Sequence, residues 1–297
     1  MAQTSPRRRR GAPILFLGPF LVLFAAFTLA PLGYAAWLSL FTERGSGLGF
    51  GGAETVFAGL GNYARALRDD AFVDGFAHIV AYCLVYIPVM IGAALLLALL
   101  LDSAYARARR AVLLGLFLPH AVPGIIAAIV WVFLYTPGLS PVVDLLRAGG
   151  IGWDFLSADR MLVSVVNIAA WQWTGYNVVI FFAALQAVPR DVLEAATIDG
   201  AGAARTAWSV KLPLIRPAVL TAALFTTIGA LQLFTEPQVL FRAGAGIEAA
   251  WSPAMYAYNA AAGQDHGLAA ASSLLLAAFA GLLSFLVTRL SARRRTA

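Results

Sequence analysis

Six long stretches of the chain carry almost no charged side chain, and they constrain the fold more than any other feature. They cover residues 14–41, 76–101, 111–135, 161–188, 218–235 and 267–288. Each reaches or approaches the roughly 20 residues that a helix needs to cross a hydrocarbon core about 30 Å thick. Backbone polar groups cannot stay unpaired in lipid, so apolar runs of this length are expected to be helices. The sequence therefore predicts an all-α, polytopic membrane protein with six transmembrane helices.

Composition agrees with this class. Charged residues make up 12% of the chain, about half the share in a soluble domain. The basic segment Arg7–Arg10 before the first run is similar to the start of a secretory signal. The apolar region of such a signal is roughly 7–15 residues long. The apolar sequence continues here from Ile14 to Phe41, so we expect an uncleaved first membrane helix. Cys83 is the single cysteine and the three histidines are far apart in sequence, so we expect no disulfide framework and no metal site.

Basic residues are distributed unevenly between the two sides of the predicted spans. An even number of spans places both termini on one side, together with the loops 102–110 and 189–217. Of the 21 lysine and arginine residues, 15 lie on that side and 6 on the other. The 15 are Arg7, Arg8, Arg9, Arg10, Arg107, Arg109, Arg110, Arg190, Arg205, Lys211, Arg216, Arg289, Arg293, Arg294 and Arg295. The positive-inside rule therefore predicts cytoplasmic termini, and the net charge of +6 reflects this asymmetry rather than a nucleic-acid-binding surface.

The 189–217 loop is a polar, punctuated segment between the fourth and fifth apolar runs. Pro189 suits the first turn of a helix, and Gly200 is placed to end that helix in a left-handed conformation. A second short helix is predicted over 203–210, and Pro213 and Pro217 are expected to stop or kink the chain before the fifth span. The two helices would form a compact projection into the cytoplasm. The alternative is an amphipathic helix lying on the lipid surface.

The same loop resembles the cytoplasmic signature loop of permeases of the ATP-binding-cassette importer family. Its pattern is Glu-Ala-Ala, two residues, Asp-Gly-Ala, an aromatic residue and then Leu-Pro. The matching residues are Glu194, Ala195, Ala196, Asp199, Gly200, Ala201, Trp208, Leu212, Pro213 and Pro217. Trp208 departs from the family, in which phenylalanine is commoner. The resemblance implies that these residues contact an ATPase.

The resemblance extends beyond the loop. Residues 76–290 are similar to the membrane domain of the carbohydrate-uptake branch, as found in the first permease subunits of maltose and glycerol-3-phosphate importers, and this implies a type I importer permease fold. The motifs Gly61-Asn62-Tyr63 and Met255-Tyr256-Ala257-Tyr258 are similar to that branch. Residues 240–246 depart from its Leu-Thr-x-Gly-Gly-Pro motif. We divide the chain into a basic tail (1–13), a first helix with an external segment (14–75), a five-helix transport core (76–290) and a second basic tail (291–297).

The sequence lacks the phosphate-binding motif of a nucleotide-hydrolysing subunit. Lys211 is the only lysine, and the residues around it do not fit the phosphate-binding pattern G-x-x-x-x-G-K-[ST]. We therefore expect a non-catalytic subunit with no cofactor of its own. The resemblance implies two ATPase subunits that bind ATP and magnesium, a second permease related by a pseudo-twofold axis, and an extracytoplasmic solute-binding protein. It also implies a multi-pass location in the bacterial cytoplasmic membrane.

Polar and aromatic residues within the fourth apolar run and at the end of the fifth are candidates for a substrate pathway. Amides at the middle of a membrane favour a bundle interior or a watered cavity, and aromatic faces beside amides suit a sugar ring. The candidates are Asn167, Trp171, Gln172, Trp173, Tyr176, Asn177, Gln232 and Glu236. Ordinary helix–helix packing through Asn and Gln is the alternative. His120, between Pro119 and Pro123, is interpreted as a kinked, solvated turn near the cytoplasmic end of the third helix.

The sequence thus predicts a permease subunit of an ATP-driven, binding-protein-dependent importer that forms half of the translocation pathway, with a sugar or sugar derivative as cargo. A glycerophosphodiester of the glycerophosphocholine type is an alternative cargo, because aromatic rings also bind quaternary ammonium groups. An ion-coupled secondary carrier would need an ionisable relay at mid-membrane, and residues 161–188 contain none. A membrane enzyme would need clustered acids, histidines or a nucleophile, whereas the acids here are scattered.

Overall fold

The structure is a computed structural model, and it describes residues 11–44, 54–103 and 108–293. Helices dominate these residues, as predicted for an all-α protein. The α-helices are α1 Gly11–Phe24, α2 Ala30–Leu38, α3 Gly61–Arg68, α4 Asp70–Asp102, α5 Arg109–Ala121, α6 Gly124–Tyr135, α7 Pro141–Ala148, α8 Met161–Gln186, α9 Arg190–Ile198, α10 Ala203–Thr206, α11 Leu212–Leu231, α12 Thr235–Arg242, α13 Pro253–Ala262 and α14 His266–Arg293. Two π-helical segments (Ala25–Leu29 and Ala207–Lys211) and a short 3-10 helix (Ala158–Arg160) lie between them. An antiparallel hairpin pairs β1 (Phe41–Arg44) with β2 (Glu54–Phe57).

Within the described residues, five helical stretches are long and apolar enough to cross a membrane. They are Phe16–Leu38, Asp70–Asp102, Ala158–Gln186, Ala203–Arg242 and His266–Leu286. A sixth candidate consists of α5 and α6 together, which meet at an angle of 96°. Counting that pair as one broken span gives the six predicted transmembrane segments.

The third apolar run is divided into two helices, α5 and α6, at a sharp bend. Val122 adopts an extended conformation between α5 and α6, because the proline that follows it disfavours the helical region and supplies no N–H donor. His120 therefore lies at the bend rather than near an end of the span. The kink at this position is confirmed, and His120 is half-buried there. The imidazole packs against Trp173 and Tyr176 at centroid distances of 4.6 and 4.7 Å.

The fifth run also breaks where an unbroken helix was expected. Helix α11 ends at Leu231 and α12 begins at Thr235. The i, i+4 spacing of Gln232 and Glu236 is that of neighbours on one helix, but the two residues do not share a helix. The Ser252 hydroxyl donates a hydrogen bond of 2.9 Å to the Leu233 carbonyl, which the break leaves without a helical partner. Pro237 suits the first turn of α12, where no backbone donor is needed. Three further helices, α7, α12 and α13, are short, with 8, 8 and 10 residues.

The bundle packs most closely where α8 crosses α4 and α5. Ala94 and Ala98 of α4 are fully buried beside Phe181 of α8. At the crossing with α5, a Cβ atom built on Gly175 would lie 1.7 Å from the Leu116 carbonyl oxygen. A glycine is therefore required at this point, since any side chain would push the two helices apart.

The N-terminal span stands apart from this bundle. No residue from Phe16 to Leu38 is buried, and Phe16 and Phe27 are 81% and 77% exposed. Its C-terminal end is attached by the Gly61-Asn62-Tyr63 motif, whose Asn62 amide donates to the Ser39 and Phe41 carbonyls at 2.9 and 2.7 Å. So large an apolar surface requires lipid or another protein around it.

Candidate functional site

The 189–217 loop begins with α9 and a left-handed turn at Gly200. The φ angle of Gly200 is +75°, which confirms the predicted helix end. The Ala201 N–H donates to the Ala196 carbonyl, and the Gly200 N–H to the Thr197 carbonyl, at 2.9 and 3.0 Å. This paired arrangement satisfies the last carbonyls of the helix. The turn is thereby fixed by backbone hydrogen bonds.

The second half of the loop differs from the expected short helix. The chain stays helical without interruption from Ala203 through Leu231, because the π-helical segment Ala207–Lys211 joins α10 to α11. In this wide turn the Leu212 N–H donates to the Ala207 carbonyl, five residues back. The shifted hydrogen bonding accommodates Pro213, which would clash with the preceding turn of a regular helix. Pro213 and Pro217 therefore do not stop the chain, and the loop is continuous with the fifth span.

The outer surface of the loop combines acidic and large apolar side chains. Glu194, Ala195, Asp199 and Pro213 are exposed, whereas Ala196 is buried. Ala201 and Leu212 are half-buried. Ile198 and Trp208 are 86% and 73% exposed, although side chains of this kind are usually buried. The Leu193 and Glu194 side chains border a shallow groove of about 480 Å³ beside Ile198. This surface has the apolar anchors and flanking charges of a protein contact.

The base of the loop is held to the bundle by one partly buried ion pair. The Lys211 ammonium contacts the Asp102 carboxylate at the end of α4, and their side chains are 18% and 9% exposed. The Gln186 amide at the end of α8 donates to the other carboxylate oxygen at 2.6 Å. We call this trio the loop anchor. It joins three membrane spans at one point and was not predicted, although an acid ending an apolar run and a sole lysine are visible in the sequence.

The polar residues of α8 divide between two faces. The Asn167 amide donates to the Tyr135 hydroxyl at 2.7 Å, and the Gln172 amide donates to the Val122 carbonyl at 2.9 Å. Trp171 stacks edge-on against Trp131 of α6. These three candidates face α5 and α6, where Gln172 satisfies a carbonyl that the bend exposes. Their contacts match helix–helix packing.

The remaining candidates converge on one cavity of about 710 Å³, which we call the central cavity. Helix α8 contributes Trp173, Tyr176 and Asn177, and the break after α11 contributes Gln232 and Glu236. The Asn177 amide donates to the Trp173 carbonyl at 3.1 Å and also contacts the Met90 sulfur at 3.3 Å. Five of the eight predicted pathway residues therefore lie together.

Other polar residues that line the central cavity were not predicted. Tyr82 and Tyr86 come from α4, and Thr221, Thr226 and Thr235 come from α11 and α12. The two tyrosines stack at a centroid distance of 4.9 Å. Their i, i+4 spacing within an apolar run was the available signal. The cavity thus combines aromatic rings, hydroxyls and amides, which is the lining expected for a polyhydroxylated solute.

The sequence matches the family of binding-protein-dependent transport system inner membrane components over residues 58–296. The chain is 31% identical over 217 residues to the sn-glycerol-3-phosphate transport system permease protein UgpA of Agrobacterium fabrum, covering 73% of this chain and 72% of that protein. It is 33% identical over 206 residues to the protein of the same name from Yersinia pseudotuberculosis, covering 69% and 68%.

Solved structures show the same fold. A chain of a bacterial ABC transporter involved in the import of the acidic polysaccharide alginate superimposes with a TM-score of 0.77 and 19% identity, covering 94% of both chains. A chain of a bacterial alginate ABC transporter in complex with alginate pentasaccharide-bound periplasmic protein gives a TM-score of 0.75 and 19% identity, covering 94% of this chain and 93% of that one. The predicted importer-permease fold is confirmed.

Proposed function

The chain belongs to the family of binding-protein-dependent transport system inner membrane components, and from that premise we propose that it forms half of the translocation pathway of an ATP-driven importer for a sugar or sugar derivative. The observation that carries the proposal is the central cavity, which lies among the membrane-length helices and is lined by aromatic rings, hydroxyls and amides. Hydroxyls of a sugar can replace water there with protein hydrogen bonds, while ring faces cover its C–H surface.

The 189–217 loop is the proposed contact with an ATPase that the chain does not itself contain. Glu194, Asp199 and Trp208 are exposed on its outer surface, and residues 194–213 carry the signature pattern of the family. The partner subunits would bind ATP and magnesium and hydrolyse the nucleotide. A second permease would complete the pathway, and an extracytoplasmic binding protein would deliver the solute.

The continuous helix from Ala203 to Leu231 supplies a mechanism for coupling. Its N-terminal part belongs to the loop, and Thr221, Phe225 and Gly229 further along it line the central cavity. Closure of the ATPase dimer would displace the loop, and a helix that continues without a break would transmit that displacement to the cavity wall. Nucleotide state then biases the equilibrium between inward- and outward-facing arrangements, because the loop makes different contacts in each.

The test is purification of the chain in detergent followed by reconstitution. We expect it to co-purify with an ATPase and a second permease, and we expect proteoliposomes containing the complex and its binding protein to take up a sugar only when ATP is supplied. Glu194→Ala should lower uptake per ATP hydrolysed while leaving the amount of membrane-inserted chain unchanged. A chain that purifies alone, or uptake that follows an ion gradient without ATP, contradicts the proposal.

A further inference from the structure

We propose that the solute that crosses the central cavity is uncharged, and that Glu236 is the side chain that discriminates against anions. The inference rests on the proposed function and specifies its substrate class. It is drawn from the charges that line the cavity and from those that are held elsewhere in the bundle.

Glu236 is the one acidic or basic side chain among the described residues that line the central cavity. The other polar groups there are hydroxyls and amides, which carry no net charge at neutral pH. They belong to Tyr82, Tyr86, Tyr176, Asn177, Thr221, Thr226, Gln232 and Thr235. No described lining residue is an arginine, lysine or histidine.

Cationic and titratable side chains of the neighbouring elements lie outside the cavity lining. Arg216, which precedes the lining residue Pro217 on α11, is exposed and is not part of the lining. Lys211 is paired with Asp102 in the loop anchor. Arg242 borders a separate apolar groove with Gln238 and Tyr258. His120 contacts Trp173 and Tyr176 by ring packing but is not part of the lining. Among the described residues, the lining of the central cavity therefore offers an entering anion no positive partner.

An anion that enters such a site loses hydration without a compensating charge, which is costly in a low-dielectric interior. An ionised Glu236 adds like-charge repulsion, and a protonated Glu236 still provides no positive charge. A neutral polyol meets neither penalty, because its hydroxyls exchange water for amide and hydroxyl partners. The carboxylate is also a strong acceptor for a sugar hydroxyl.

This chemistry separates the chain from the cargoes that its relatives' names give. sn-Glycerol 3-phosphate and alginate are both anions. A pathway for either is expected to present cationic or strongly donating groups to phosphate or carboxylate oxygens. The central cavity presents an acid in their place.

The first experiment measures uptake by the assembled importer, with its ATPase, second permease and binding protein, in ATP-loaded proteoliposomes. The labelled probes are neutral sugars (glucose, maltose, trehalose and mannobiose) and anions (glucose 6-phosphate, sn-glycerol 3-phosphate and an alginate disaccharide). We expect uptake of at least one neutral sugar to exceed that of every anion by about 100-fold or more, since charges a few ångströms apart repel strongly at an effective dielectric constant near 20. Faster uptake of an anion overturns the inference but leaves the importer function intact. Uptake of no probe at all counts against the proposed function itself.

The second experiment separates the cavity from the selection made by the binding protein. Saturation-transfer NMR on the importer in nanodiscs, without binding protein, compares maltose with glucose 6-phosphate. Glu236→Lys should raise the glucose 6-phosphate signal relative to maltose by about 10-fold or more, and Glu236→Gln should raise it less. Glu248→Gln is the matched control, because Glu248 is exposed and lies outside the cavity lining. An unchanged ratio in both Glu236 variants overturns the role of this residue.

Discussion

Gly200 shows how one backbone conformation fixes the shape of the 189–217 loop. Its φ of +75° lies in the left-handed region, which glycine enters freely and asparagine enters at modest cost. Proline is confined to φ near −65°. The side chain itself meets open space, since a Cβ at this position has no neighbour within 4 Å. The residue is therefore selected by backbone geometry rather than by packing.

Two substitutions at Gly200 distinguish a requirement for the left-handed backbone conformation from a requirement for a small side chain. Gly200→Pro should disrupt the turn after α9 and uncouple ATP hydrolysis from uptake, with uptake per ATP falling at least about 10-fold. Gly200→Asn should retain most of the coupling, because asparagine tolerates the left-handed region. Uptake and hydrolysis are measured together in proteoliposomes. Wild-type coupling in the proline variant would contradict the assigned role of the turn.

Gly175 illustrates the opposite case, in which packing requires the glycine. Gly175→Ala places a methyl group against the Leu116 carbonyl, and overpacking of this kind costs about 1–3 kcal/mol or more. We expect a lower thermal unfolding midpoint in detergent. Gly92→Ala is the matched control, because Gly92 lies in α4 with nothing within 4 Å of the added Cβ. That variant should match or exceed the wild-type midpoint, since alanine is the better helix former by up to about 1 kcal/mol.

Among the elements, the loop anchor connects the ends of α4 and α8 with the start of the fifth span. Asp102 accepts from both Lys211 and Gln186, so its carboxylate is well compensated despite its burial. A buried pair contributes little net stability, but loss of one partner leaves an uncompensated charge. The anchor therefore ties the start of the fifth span to the ends of α4 and α8.

Uncharged replacements compare the cost of losing one partner of the ion pair with the cost of losing both. Lys211→Met should destabilise the protein by about 1–3 kcal/mol, between the cost of breaking an exposed pair and that of breaking a buried one, because it leaves the partly buried Asp102 carboxylate without its cation. The double variant Asp102→Asn with Lys211→Met should recover most of that loss. Arg65→Met removes an exposed ion pair with Asp265 and should cost about 1 kcal/mol or less. Denaturation in detergent measures all three, and equal costs for the single and double variants would contradict a charge-based anchor.

At the scale of the whole molecule, the positive-inside rule predicts that the termini and the 189–217 loop face the cytoplasm. Arg205 is exposed in that loop, and Leu145 is exposed on α7, in a predicted external segment. The orientation places these two positions on opposite sides of the membrane. The single native cysteine, Cys83, is half-buried and can be replaced by serine for labelling studies.

Cysteine labelling of right-side-out vesicles tests the orientation. In a Cys83→Ser background, a membrane-impermeant maleimide should label Leu145→Cys in sealed vesicles. It should label Arg205→Cys only after permeabilisation. The reverse pattern would place the proposed ATPase contact on the wrong side of the membrane and contradict the topology.

The sequence determined the features that depend on local chemistry and on the solvent. Apolar length established the membrane class and the number of spans, because lipid forces every long apolar run to satisfy its own backbone. The turn at Gly200 followed from glycine's access to the left-handed region. Five of the eight pathway candidates meet in the central cavity, because aromatic and amide residues in mid-membrane favour a bundle interior.

Tertiary structure decided the features that depend on partners distant in the chain. Proline at 119 and 123 indicated a kink, but its angle of 96° and the Gln172 amide that satisfies the exposed Val122 carbonyl belong to the tertiary structure. The prolines at 213 and 217 looked like helix stops, yet a π-helical turn absorbs the first of them and the helix continues. The pairing of Asp102 with Lys211, 109 residues apart, has no local signature. Local sequence patterns indicate the conformation that a segment prefers by itself. The bend, the loop anchor and the cavity walls depend on residues distant in the chain that satisfy their polar groups or fill their space.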